Sequence, residues 1–402
     1  MFIIIFFRAM ILKQLLFLWR IMKRILLILC MLASVIDAVA VFQPSESTEI
    51  SVLVCSPGND MYSQYGHAAM HVRDTTQRVD EVFDYGVFYI YDYVDFVRNF
   101  LTGKMFYSVE AQPFQLTRWI YASEGRGITE YKLNLTLSEK KCFCAYLLWN
   151  LRTANKEYLY NFFEDNCATK LRDIIERFVP QVQWNEPYAP DTWKNVVFKY
   201  SDKNSWCGLG IQLALGLPAD KNATPRGMMF SPEHLAKSLM TATVGDRKLV
   251  TQTREVLPVM SVAQHPLWEN ACLILWIVAV LILLLSLWEL KTRKRVIWFD
   301  VLLFFVIGVL GTVISYIMCF SVHSLVFPNF NLLWMLPTHV FFAIAWAVRP
   351  WREKLKWYFV FTAAMVMVSV VLSFEFGQQI YASTWALLFI FVVRSVYFLR
   401  KE

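Results

Sequence analysis

Apolar and polar positions divide the chain into three stretches. A short apolar run, Ile25 to Ile36, follows Met22-Lys23-Arg24 and ends near Ala38-Val39-Ala40. A basic start, an apolar core and an A-x-A site are the parts of a secretory signal. Residues 41–265 have mixed polarity, enough to bury one globular core. From Ala271 onward, apolar spans of membrane-crossing length recur at roughly 271–290, 297–320, 331–348, 357–374 and 379–398. Within the middle stretch, Ile50–Val54 reads as a strand and Cys55–Asp60 as turn chemistry. His67–Arg73 reads as a strand, Asp74–Asp80 as a turn and Glu81–Tyr91 as the returning strand. Ile128–Leu137 alternates as a further strand. Ser138–Ala154 and Ala168–Phe178 carry helical periodicity, the second capped at Asn166-Cys167. No internal repeat or low-complexity linker interrupts them.

This predicts an α+β exterior domain followed by an all-α polytopic membrane domain. The boundaries are 1–40 for an upstream extension and signal peptide, 41–265 for the exterior domain, and 266–402 for five transmembrane helices. Residues 1–21 read as an extension before a start at Met22, or alternatively as an additional anchor. Cys30 lies inside the apolar core of the signal and is a poor lipidation site.

Composition agrees: 57% of the residues are hydrophobic, too many for a soluble protein of ordinary domains. The net charge of +7 does not mark a nucleic-acid binder. Much of the excess sits beside the apolar spans, as Lys291, Arg293, Lys294 and Arg295, then Arg349, Arg352, Lys354 and Lys356, then Arg400 and Lys401. Loops 321–330 and 375–378 contain no Lys or Arg. The positive-inside rule puts these loops and the exterior domain on the same non-cytoplasmic side. No CxxC pair or Cys/His cluster has metal-ligand spacing, so neither a metal nor a cofactor is expected.

Cys167 is the first candidate for chemistry. It opens a helix whose apolar face is Leu171, Ile174, Ile175 and Phe178. Free amides and the positive end of the helix dipole favour a thiolate at such a position. A cysteine there is otherwise a buried small hydrophobe or half of a disulfide. The exterior stretch holds five cysteines, Cys55, Cys142, Cys144, Cys167 and Cys207. An odd number leaves a thiol free in an oxidising compartment. His67, after Gly66 at the head of a strand, is the natural base, with structural hydrogen bonding as the alternative. His71 shares its face but lies about 13 Å further along the strand. A hairpin turning near Thr75–Gln77 sets His67 across from about Asp84 or Tyr85. Asp84 is therefore the expected orienting carboxylate, with Glu81 and Asp80 behind it; an exposed strand carboxylate is the plain alternative. Asp220 reads as structural, and Arg226 as a surface salt bridge.

Histidine, carboxylate and helix-start cysteine form a papain-like constellation in permuted chain order. The segments YSQYGHAAMHV from Tyr62, FDYGVF from Phe83, YNFFEDNCATKLRD from Tyr160 and GLGIQLALGLPADKNATPRGMMFSPEHL from Gly208 resemble the exterior domain of the Lnb-type lipoprotein transacylases. The resemblance covers about residues 48 to 245. The following helices, with His323-Ser324 and Pro328–Trp334, resemble the membrane part of those proteins. The resemblance implies a permuted NlpC-type thiol enzyme with Cys167 as nucleophile and His67 as base. It also implies diacylated bacterial lipoproteins and membrane lipid as partners, and a multi-pass inner-membrane location with the catalytic domain outside the cytoplasm. The implied reaction moves an ester-linked acyl chain to the amine of the lipidated N-terminal cysteine. His323, Asn329 and Asn331, polar residues in a loop at the membrane boundary flanked by Pro328 and Pro337, are assigned to substrate positioning, and Tyr62 is placed with them; ordinary interfacial capping is the alternative. Rival readings are a membrane-anchored cysteine peptidase or amidase of cell-wall peptides, and a non-catalytic envelope scaffold.

Overall fold

The computed structural model describes residues 42–60, 62–185, 187–260 and 266–399. The signal-like segment, Cys30, Arg400 and Lys401 lie outside the described residues.

Among the described residues ten strands run in chain order as β1 Glu49–Cys55, β2 His67–Asp74, β3 Val79–Val87, β4 Phe106–Pro113, β5 Ile128–Leu133, β6 Glu157–Leu159, β7 Val182–Gln183, β8 Thr243–Val244, β9 Arg247–Lys248 and β10 Val250–Leu257. Seven form one antiparallel sheet in the order β10-β5-β1-β2-β3-β4-β6, and β7, β8 and β9 form a small second sheet. The helices interleaved with them are α1 Tyr93–Thr102, α2 Phe114–Ser123, α3 Leu137–Asn150, α4 Cys167–Phe178, α5 Trp193–Phe198, α6 Trp206–Ala214, α7 Pro225–Met228 and α8 Pro232–Thr241.

Alternation along the strands builds the core. Leu53, Cys55, Ala69 and Val82 pack with Phe114 and Tyr121 of α2. The intervening Val52, Ala68, Met70 and Phe83 are buried on the opposite face. α4 packs against β2, β3 and α8, and α8 against β1 and β5. The expected β1–β2–β3 meander and the helices at α3 and α4 are present. The returning strand β3 ends at Val87, short of the expected Tyr91, and α1 begins beyond that stretch at Tyr93. Arg226 makes the expected surface ion pairs, with Asp173 and Glu176, each at 2.7 Å. Asp220 is structural: it accepts from Lys194 at 2.7 Å, and both side chains are wholly buried.

The C-terminal part is helical: α9 Ala271–Thr292, α10 Ile297–Phe320, α11 Thr338–Ala347, α12 Arg352–Phe376 and α13 Ala382–Leu399. Among the described residues four stretches are long and apolar enough to cross a membrane: 271–292, 297–320, 330–347 and 349–376; Ala382–Phe398 is a shorter apolar helix. The third is composite, a 3-10 turn at Phe330–Leu333 followed by α11, as the prolines around it suggest. Arg394 of α13 ties three helices together. It bonds Asp300 of α10 through two nitrogens, at 2.7 and 2.8 Å, and Glu289 of α9 at 2.5 Å. A polar cluster among apolar helices is stable only when paired in this way.

The 321–329 loop joins the sheet domain to the helices. Val322 N–H donates to Thr102 O at 3.0 Å, Gly216 N–H to Leu325 O at 2.9 Å and Leu217 N–H to Pro328 O at 2.8 Å. Ser324 Oγ donates to Glu164 at 2.8 Å.

Candidate active site

Asn166 positions Cys167. Its side-chain oxygen accepts from Thr169 N–H at 3.0 Å, while Thr169 Oγ1 accepts from Asn166 N–H at 2.7 Å. This reciprocal box closes the first turn of α4. The Asn166 amide also donates to Phe162 O at 2.9 Å and Phe230 O at 2.8 Å. The cap is thereby pinned both to the loop before α4 and to the segment between α7 and α8. Cys167 takes the first helical position, where the backbone amides of Cys167 and Ala168 have no acceptor within the helix.

His67 is the first residue of β2, so both side chains sit at the ends of their elements and meet there. The imidazole Nε2 lies 2.7 Å from Asp84 Oδ1, and the ring is close enough to Cys167 for the thiol to shift its protonation. With Nε2 on the carboxylate, Nδ1 is the ring nitrogen that Asp84 leaves unused. The hairpin register explains the contact. Met70 pairs with Phe83 and His71 with Val82, so the same register sets Gly86, rather than Asp84 or Tyr85, opposite His67. Asp84 is the diagonal neighbour on the same face. Gly86 makes the diagonal accessible: a Cβ there would lie 2.9 Å from His67 Cε1. The bare glycine lets the ring lean across to the carboxylate.

Burial pushes the His67 imidazole down, but the neighbouring Asp84, to which it is hydrogen-bonded, and the Cys167 thiol outweigh this and hold it well above the usual histidine range. The ring is thus suited to hold a proton between a thiol and a carboxylate.

His71 repeats the diagonal geometry, with Nε2 2.8 Å from Asp80 Oδ1. Its other nitrogen is taken by Glu130 at 2.7 Å, its ring stacks on Phe114 at 4.2 Å, and it is 1% exposed. It is a structural histidine, and Asp80 is committed to it. Glu81 stands opposite Val72, in the next register position after Val82. A second thiol, Cys55, pairs across from His67 in the β1–β2 ladder. It is buried, and desolvation pushes it up to about 11 despite His67, which disfavours it as the nucleophile.

Sequence reasoning missed an aromatic wall around Cys167. Tyr107, Tyr158 and Tyr160 all lie close enough to feel a charge on its sulfur. Tyr107 stacks on Tyr160 at 4.0 Å and stands opposite Tyr158 in the β4–β6 ladder. The Tyr158 hydroxyl is buried with no hydrogen-bond partner among the described residues. The alternation Tyr158-Leu159-Tyr160 just before the cysteine helix was the available signal, but β6 is only three residues long.

The remaining expected residues make contacts of their own. Tyr62 is 68% exposed and donates to Asp60 at 3.1 Å. Asn329 donates to Leu213 O and Ala214 O at the end of α6 and accepts from Gln378. Asn331 donates to Gln212 O at 3.2 Å and accepts from Trp334 Nε1. Both amides are committed to fastening the boundary loop to α6, which is the capping alternative rather than substrate contact. His323 packs against Gly103, and burial lowers its pKa. A cavity of about 440 Å³ lies between the end of α12 and the start of α13 against Gln378, Tyr381 and Trp385, and Cys167 is not among the residues that line it. Among the described residues no group of three His, Cys, Asp or Glu side chains could hold a metal. All seven described cysteines are free, Cys55, Cys142, Cys144 and Cys207 included.

Residues 41–198 match the family model described as the Lnb N-terminal periplasmic domain, and residues 265–402 match the Lnb transmembrane domain. No curated protein and no solved structure gives a significant match. The chain belongs to the Lnb family and is a membrane protein with a periplasmic domain.

Proposed function

We propose that this member of the Lnb family is a membrane-bound thiol acyltransferase of the bacterial inner membrane. It moves an ester-linked acyl chain of a diacylated lipoprotein to the amine of that lipoprotein's lipidated N-terminal cysteine. The observation that carries the reading is the relay from Cys167 through His67 to Asp84, with the carboxylate 2.7 Å from Nε2, in a domain fastened to membrane helices.

His67 takes the Cys167 proton, and the thiolate attacks the ester carbonyl carbon. The tetrahedral oxyanion is received by the Cys167 and Ala168 amides, with the unpartnered Tyr158 hydroxyl as a further donor. The carbon–oxygen bond to the glyceryl group breaks, and the imidazolium gives its proton to the departing oxygen. The lipoprotein amine then attacks the thioester carbon and loses a proton to His67. The carbon–sulfur bond breaks, leaving an amide on the lipoprotein and a free hydroxyl on its glyceryl group. Asp84 keeps the ring oriented and balances its positive charge. The Tyr107, Tyr158 and Tyr160 wall limits water at the thioester, which favours the amine as acceptor.

The test is mass spectrometry of the N-terminal peptide of one lipoprotein in a host lacking its own N-acylating enzyme. With the intact chain, the peptide gains an amide-linked acyl and loses one ester-linked acyl. With Cys167→Ala it does not. An unchanged peptide with both forms overturns the reading and leaves a wall-peptide amidase or a scaffold.

A further inference from the structure

Helix α1 has an apolar side that the protein does not cover. Helical spacing places Tyr93, Val94, Phe96, Val97, Phe100 and Leu101 on one side, and Asp92, Asp95, Arg98 and Asn99 on the other. Only two of the apolar six are held by the fold. Phe96 stacks on Phe88, and Leu101 packs on the cluster that contains Phe163, Leu325 and Val326. Tyr93, Val94, Val97 and Phe100 are 72, 75, 40 and 60% exposed.

The position of α1 identifies what covers that side. Its last residue accepts through Thr102 O from Val322 N–H at 3.0 Å. Its cap, Gly103 (φ +66°), lies so close to the boundary loop that a Cβ would stand 2.7 Å from His323 Nε2. Val322 and His323 follow Ser321, the cap of α10, whose final residue Phe320 is exposed, as are Val322 and Phe327 of the boundary loop. The apolar side of α1 is therefore tethered to the outer end of a membrane-spanning helix. It also leads to the thiol: Phe88 stacks on Phe96 and on Tyr107, Tyr107 stacks on Tyr160, and both tyrosines neighbour Cys167.

We propose that α1 is an interfacial helix whose Tyr93, Val97 and Phe100 side lies among the lipid chains of the outer leaflet, and that the aromatic line from Phe96 to Tyr160 is the route by which a lipid-anchored acyl chain reaches Cys167. The insertion stands on the geometry alone; the route rests on the acyl-transfer reading. Amphipathic helices of this kind bury their apolar side at the level of the head groups and upper chains.

The full chain is reconstituted in nanodiscs of phosphatidylethanolamine and phosphatidylglycerol, with a nitroxide carried on an unnatural residue at Val97, Phe100 or Arg98. At Val97 and Phe100, oxygen relaxes the label severalfold more than a water-soluble nickel chelate does; at Arg98 the order reverses. Insertion is overturned if the Val97 and Phe100 labels behave like Arg98. It is equally overturned if they are immobile and closed to both reagents, which marks a covering protein or a second copy. The route is tested with V97E/F100E. Acyl transfer to the lipoprotein falls about tenfold, the scale set by one buried apolar side chain, while iodoacetamide alkylates Cys167 at the wild-type rate. Unchanged transfer overturns the route. If the labels sit in lipid but the wild type transfers no acyl group, the acyl-transfer reading fails and the insertion stands.

Discussion

Asp84→Asn isolates what the carboxylate contributes. The side chain keeps its size and an acceptor oxygen and loses only its charge. Asp84 Oδ1 lies 2.7 Å from His67 Nε2, with the two side chains 22% and 18% exposed, so solvent screens the pair only partly. A hydrogen bond between charged groups at such a site contributes about 1.5–3 kcal/mol, which corresponds to a loss of roughly ten- to a hundredfold in rate if the bond is needed in the transition state. The pH dependence has a definite sign. Burial pushes His67 down, while Asp84 and Cys167 lift it above the usual histidine range. Removing the Asp84 charge leaves burial opposed by Cys167 alone, so the ring loses its proton at lower pH. The alkaline limb of the pH–rate profile moves to lower pH. Stability follows the same linkage. A raised folded-state value contributes stability that is full below the ordinary histidine pKa and is lost as pH rises through the raised one; Asp84→Asn removes part of that contribution. The assay is the rate of iodoacetamide alkylation at Cys167 against pH in detergent, read from the Cys167 peptide so that the exposed Cys142 and Cys319 do not contribute. Asp84→Ala, which removes charge and acceptor together, gives the larger loss. An Asp84→Asn protein with the wild-type rate and an unmoved alkaline limb refutes the relay, provided thermal unfolding shows both proteins folded.

Gly86→Ala places a methyl 2.9 Å from His67 Cε1 and 3.5 Å from Asp84 Oδ1. The expected result is a loss of Cys167 reactivity of about tenfold, by displacement of the ring from its working geometry, with little change in melting temperature. Asn166→Ala removes the cap of α4, at about 1 kcal/mol, and strips Phe162 O and Phe230 O of their donor; both the melting temperature and the Cys167 alkylation rate fall, and an unchanged rate argues that the cap does not position the thiol. Glu130 is held down to about 2: burial pushes it up, but His71 and Arg254 outweigh that. Its contribution, on the order of 3 kcal/mol, is present above the ordinary glutamate pKa and is lost as pH falls through about 2, so Glu130→Gln lowers stability at neutral pH and flattens the acid limb of a melting-temperature profile.

Local patterns carried the parts of the site that local physics determines. An Asn-Cys step before an amphipathic run specifies a capped helix with the thiol at its first position. Two short alternating runs around a polar turn specify the β2–β3 hairpin. The register was less legible. The tight turn at Thr75–Arg78 makes Gly86, not Asp84, the direct partner of His67, and a periodicity of two cannot distinguish an opposite neighbour from a diagonal one on the same face. Polar residues at the membrane boundary misled for a related reason. Asn329 and Asn331 look like ligand groups when only their polarity is known, but the end of α6 leaves carbonyls that need donors where a loop packs on them, and the two amides supply them.

The site is singled out by what is left unoccupied. The sheet carries two diagonal His–Asp pairs, His67–Asp84 and His71–Asp80, of nearly equal length, and two cysteines lie near His67. Histidine and carboxylate therefore do not define the site by themselves. His71 has its second nitrogen on Glu130 and its ring under Phe114, so it has no position from which to accept a proton. Cys55 has the right neighbour but lies in the apolar core, where desolvation opposes the thiolate. Among the described residues, only at the joint between the start of β2 and the start of α4 does an oriented imidazole keep a nitrogen near a thiol that itself sits among free backbone amides. The candidate site falls there because the elements end there: strand and helix interiors spend their polar groups on the ladder, and their first residues do not.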